Sequence, residues 1–89
     1  MNMDNSGEMG QQIIDALTQA FAGAQVELET LPDGRFSGLL IWDGFIDEDS
    51  IDRHRRVRQV LTAALNSEAT NVGIFFTYTP TEIAAMRAA

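Results

Sequence analysis

The chain has no cysteine, no lysine and a single histidine in 89 residues. Without cysteine there is no disulfide, no thiolate zinc site, no self-supplied Cys₄ iron–sulfur site and no cysteine nucleophile. One histidine excludes a two-histidine metal site. Long apolar runs are missing too: nothing approaches the roughly 18 residues of a membrane span. The opening Met1-Asn-Met-Asp-Asn-Ser-Gly-Glu8 has neither a basic region nor an apolar core, so it is not a signal peptide, and the cytoplasm becomes the default compartment. Positive charge is scarce as well. Six arginines face 13 acidic residues, a net −7 that opposes phosphate backbones and anionic membrane surfaces at long range.

What is present is the material of one small folded domain. Hydrophobic residues at 45% and charged residues at 21% belong to a packed chain rather than a disordered tail. Residues 1–7 read as a flexible N-terminus and 8–89 as the domain. Met9, Ile13, Leu17 and Phe21 recur every four residues and predict a helix over 8–22, with Asn5 and Glu8 at capping-box spacing. Gln25-Val-Glu-Leu-Glu-Thr30 alternates polar and apolar, as a half-exposed edge strand does. Leu31-Pro-Asp-Gly34 is turn chemistry. Phe36–Trp42 is apolar on both faces, which suits a central strand antiparallel to the first.

An acidic loop then leads to a second helix over 49–66, with Ile51, His54, Val57, Leu61, Ala64 and Leu65 on one face. Its length predicts that the next strand, Val72–Tyr78, runs parallel to the second through a right-handed crossover. Thr79, Pro80 and Glu82 occupy N-cap, N1 and N3 of a last short helix. The expected fold is therefore α+β, in the order αββαβα, with a three-stranded mixed sheet covered by helices in one sheet layer and one helix layer.

The chemistry-bearing residues are few. His54 alone titrates near neutrality unperturbed, and its place in an apolar stripe predicts a partly buried imidazole rather than a catalytic one. No G-x-S-x-G nucleophile elbow exists, and Asp43, Asp47, Glu48 and Asp49 lack the calcium-loop pattern. No enzymatic activity, metal or cofactor is expected. Four of the six arginines fall within residues 53–58, where nearby acids balance them in number. Arginine's planar fork suits recognition of carboxylates and phosphates, so this cluster is a candidate recognition surface; the equal alternative is i,i+4 pairing with nearby acids along a solvated face. The string Gly7-Glu-Met-Gly10 has the form of the KH-domain GxxG loop, but it precedes the first helix and carries an acid.

Asp43-x-Phe45, Arg53-His54-Arg55 heading a helix, and Thr77-Tyr78-Thr79 followed by Glu82 together resemble the BolA family, over almost the whole chain. The resemblance implies a type II KH-like fold. It also implies a non-enzymatic partner of monothiol glutaredoxins in iron–sulfur cluster trafficking. Members are described, too, as transcriptional regulators, so a nucleic-acid-binding regulator is the alternative function. The family's cluster-ligating histidine at the start of the third strand corresponds here to Asn71. The Leu31–Gly34 loop supplies no second ligand. An amide is a poor iron ligand where thiolate or imidazole is expected. The expected partner-binding surface joins the acidic loop (Asp47, Glu48, Asp49), the head of the second helix (Arg53, His54, Arg55), Asn71 and Tyr78.

Overall fold

The structure is a computed structural model that describes residues 5–88. Helix α1 (Asn5–Ala20) starts three residues before the expected boundary, so residues 5–7 are helical. The Asn5 side chain of the expected capping pair, and residues 1–4 of the expected flexible terminus, lie outside the described residues. Ile13 and Leu17 of α1, and Phe21 just past its end, are spaced by four, are at most 1% exposed and form one inner edge.

Strands β1 (Gln25–Thr30) and β2 (Phe36–Ile41) pair antiparallel, from Gln25 opposite Ile41 to Thr30 opposite Phe36. Their turn closes through Leu31 N–H to the Arg35 carbonyl at 2.7 Å, and Asp33 Oδ1 accepts from the Arg35 N–H at 3.0 Å. Helix α2 (Ser50–Leu65) is the crossover to β3 (Val72–Tyr78), which pairs parallel with β2. The sheet order is β1-β2-β3, so β3 is an edge strand. Phe36 lies opposite Val72 but Gly38 lies opposite Phe75, so β3 carries one extra residue at Gly73–Ile74. Gly38 is obligatory at the crowded pairing with β1, because a Cβ there would collide with the Glu27 carbonyl oxygen.

Helix α3 (Pro80–Ala88) is capped as its sequence predicts. The Glu82 N–H donates to Thr79 Oγ1 at 3.2 Å while Glu82 Oε1 accepts from the Thr79 N–H at 2.8 Å. Its position departs from the expected single helix layer. Val26, Leu28, Phe36, Leu40 and Phe75 pack with α1 and α2 in the main core. Strand alternation puts Glu27 and Ile41 on the opposite face. Arg87 of α3 reaches Glu27 there at 2.9 Å, and Ile83 and Ile41 are the buried apolar residues outside the main core. Nine helical residues are enough to cover one end of that second face, leaving Phe76 about half exposed.

Candidate functional site

The chain leaves β2 through a 3₁₀ turn at Asp43–Phe45 and enters α2 at Asp49, whose Oδ1 accepts the Asp52 N–H at 2.8 Å. One turn into the helix stands Arg53, only 7% exposed. Its Nε donates to the Glu48 carbonyl at 2.8 Å. Nη1 donates to the Thr77 carbonyl at 3.2 Å and to Glu82 Oε1 at 2.8 Å. Nη2 donates to the Phe45 carbonyl at 2.7 Å and to Glu82 Oε2 at 3.3 Å. All five donors of the guanidinium are used, and its carbon lies 5.4 Å from the Phe45 ring centre. Arg53 was expected at a partner surface; it is instead the internal tie between the loop before α2, the end of β3 and α3. Its hydrogen bond holds the Glu82 carboxyl below the ordinary range, with the Thr79 N–H adding to the effect.

A second arginine is also spent inward. The Arg56 guanidinium lies 5.3 Å from the Phe21 ring centre and 5.2 Å from that of Trp42, and it pairs with the Glu48 carboxylate. Trp42 is held in turn by its indole N–H, which donates to the Ala22 carbonyl at 2.9 Å, and by edge contacts to Phe21 and Phe45. Gly44 leaves the space that the Trp42 ring fills, since a Cβ there would overlap it. Glu48, half buried and occupied by Arg56, therefore also belongs to the scaffold rather than to the expected docking surface.

The opposite flank of α2 is open. The buried stripe of the helix is Arg53, Val57, Leu61 and Leu65. It is rotated from the expected face, so His54 and Ala64 are exposed and Ile51 is 66% exposed. An arginine heads the true stripe, and hydrophobic periodicity has no means of placing an arginine inside. Ile51 and His54 line a groove of about 460 Å³ between α2 and β3. Val57, Leu61 and Phe75 form its floor, and Ile51 and Ile74 its exposed apolar walls. His54, Arg55 and Arg58 stand at its rim. Arg55 has only Asp52, at 3.5 Å and one turn back, a solvated contact of little strength. Arg58 donates to the Ala69 carbonyl at 3.2 Å and has no carboxylate partner among the described residues.

The remaining expected site residues are not gathered here. Asp47 is exposed in the loop before α2. Asn71 is exposed at the start of β3, beside Glu8, Gln12 and Glu68. Tyr78 is half buried at the far end of that strand, where its carbonyl accepts the Trp42 N–H at 2.9 Å. The two ends of β3 are about 20 Å apart, and the head of α2 lies at the Tyr78 end, as the Arg53–Thr77 bond shows. The expected continuous surface therefore breaks up, and only His54 and Arg55 remain together. Ile51, Arg58 and Ile74 are groove residues that sequence reasoning missed. One signal was available: the lone isoleucine in Asp49-Ser-Ile-Asp-Arg-His54, amid charge, has no local core to join.

The groove offers guanidinium and imidazole donors over an apolar floor, with no carboxylate or hydroxyl side chain among the described residues that line it. Such a surface is equipped to hold an anionic, partly apolar ligand. Among the described residues no three His, Asp or Glu side chains gather to hold a metal ion, and no helix is long and apolar enough to cross a membrane. No protein-family model matches the chain, and no curated protein matches it significantly.

Proposed function

We propose that this chain is a BolA-like, non-enzymatic binding module that docks to a protein partner through the His54–Arg55 flank of α2. It would be related to the partners of monothiol glutaredoxins in iron–sulfur trafficking and carry no cluster ligand of its own. One observation carries the reading. The separate motifs behind the family resemblance meet at a single guanidinium: Arg53 bonds Phe45, Thr77 and Glu82 at once. A shared motif set thus has a shared physical purpose, which is to fix the head of α2 against β3 and α3. Arg55, two residues on, is then presented outward from a rigid base.

The donor chemistry does not fit a cluster at the family position. Asn71 supplies an amide, and its neighbours in space are Glu8, Met9, Gln12 and Glu68 rather than cysteine or histidine. The nucleic-acid alternative draws less support. Two of the four clustered arginines are consumed internally, and the whole chain carries −7.

Co-expression with a monothiol glutaredoxin tests the proposal. The two proteins should co-purify, with visible absorption and circular dichroism no different from the glutaredoxin homodimer. Arg55→Glu should weaken capture about tenfold without moving the unfolding midpoint. Unchanged capture would remove Arg55 from the interface, and a new cluster spectrum would overturn the loss inferred from Asn71.

A further inference from the structure

Edge strand β3 and the groove above it form one continuous feature. Among the described residues only β2 pairs with β3, and the strand's outer side is unpaired by them along the groove. The extra residue at Gly73–Ile74 breaks the alternation there and turns Ile74 outward, 60% exposed, across from Ile51. Among the described residues no carboxylate lines this groove, although the chain carries 13 acids against six arginines. We infer that the groove receives an extended acidic segment of a partner protein, which adds to β3 as a fourth strand and sets its carboxylates against Arg55 and Arg58. This inference rests on the adaptor reading above and specifies what the partner presents.

Strand geometry constrains that segment. The Thr77 carbonyl is already taken by Arg53, so pairing is confined to the stretch Gly73–Phe76. Along β3, Phe75 points to the helix layer and Phe76 to the opposite face, where it is 49% exposed. An added strand alternates in step with it. Its residues on the helix side meet the arginine rim, and those on the other side lie beside Phe76. The segment therefore alternates acidic and apolar residues. Main-chain bonds supply affinity, and the rim arginines select for negative charge. Single-stranded nucleic acid is the poorer occupant. The groove presents no exposed aromatic ring to stack a base, because Phe75 is floor and Phe76 faces the other side. A second copy fits less well: a β3-to-β1 contact forms an open series, and a two-fold β3-to-β3 contact sets the arginine rims of the two copies against each other.

The test is a titration of the full chain with an end-capped peptide of alternating glutamate and valine, about eight residues long, followed by amide chemical shifts and hydrogen exchange. Binding should slow exchange within residues 73–76. Arg55→Glu and Arg58→Glu should each weaken it about tenfold. N-methylation of the alternate amides along one edge of the peptide should abolish binding, and a lysine–valine peptide should not bind. Absence of glutamate–valine binding, shifts centred away from β3, or indifference to both arginine reversals would overturn the proposal. Tighter binding of oligothymidine would assign the groove to nucleic acid, and concentration-dependent self-association with protection of β3 would assign it to a second copy. Either overturns the proposal. Glutaredoxin capture without peptide binding would remove strand addition and leave the adaptor reading standing. Peptide binding without glutaredoxin capture would support the groove and remove the glutaredoxin relationship.

Discussion

Helix α2 carries four arginines in six residues, and its two flanks use them for different ends. On the inner flank Arg53 is fully hydrogen-bonded and Arg56 lies over two aromatic rings. On the outer flank Arg55 and Arg58 stand in solvent above an apolar groove. A buried guanidinium is tolerable only when every N–H finds an acceptor, and three backbone carbonyls and one carboxylate supply them here. An exposed guanidinium without a firm partner contributes little to stability, but its charge remains available to a ligand. The same side chain can thus be a tie or a handle, and burial decides which.

Removing the tie has the largest expected effect. Arg53→Ala strands the Glu82 carboxylate and frees the Phe45 and Thr77 carbonyls, at a cost of about 3 kcal/mol in urea unfolding. That is the lower end for a buried pair, because the Glu82 side chain is 45% exposed. Arg53→Lys should recover only part of the loss, since an ammonium offers three donors in place of five. A drop no larger than that of Arg55→Ala would erase the contrast between the flanks.

The partner of the tie gives a smaller, pH-dependent effect. The folded Glu82 carboxyl is held below its ordinary value of 4.5, chiefly by the Arg53 hydrogen bond. Ionised Glu82 therefore adds stability that is fully present above about pH 4.5 and is lost as pH falls through the lowered pKa. Glu82→Gln should be less damaging than Arg53→Ala at neutral pH. Its unfolding midpoint should also decline less steeply than that of the native chain on acidification to about pH 3. Parallel acid profiles would show that Glu82 is not the linked group.

Arg56→Ala comes next, at about 1 kcal/mol for the lost ring contacts and the Glu48 pair. Smallest of all, Arg55→Ala should change stability by less than about 0.5 kcal/mol, as measured by urea unfolding. Arg55 and Arg56 are neighbours in sequence, so a reversed ranking of these two would mean that the helix is rotated from the orientation described.

The order of elements and the sheet's pairing were legible because they follow from local signals. Period-four apolar positions in α1, the alternation of Gln25–Thr30, and the Thr79–Pro80–Glu82 cap each point to one outcome. The face of α2 was not legible. Its buried stripe opens with Arg53, whose acceptors lie at Phe45, Thr77 and Glu82, up to 29 residues away. Nothing within a helical window reports such partners. Placing Ile51 and His54 on the buried face followed from helical spacing alone, and that same error concealed the groove they line. The position of α3 on the second face, marked by contacts such as Arg87 to Glu27, 60 residues apart, was not legible for the same reason.

The only tryptophan of the chain, Trp42, touches the turn that follows α1 through Phe21 and the Ala22 carbonyl, the 3₁₀ turn through Phe45, and α2 through Arg56. Its ultraviolet emission is consequently an intrinsic gauge of whether these three segments remain assembled. The indole sits on the inner flank of α2, away from Ile51 and Ile74, so occupancy of the groove should leave that signal almost unchanged. Fluorescence can follow folding in the Arg53, Glu82 and Arg55 variants without mistaking a bound ligand for a change of fold, whereas Arg56→Ala removes a group packed on the indole and alters the emission itself.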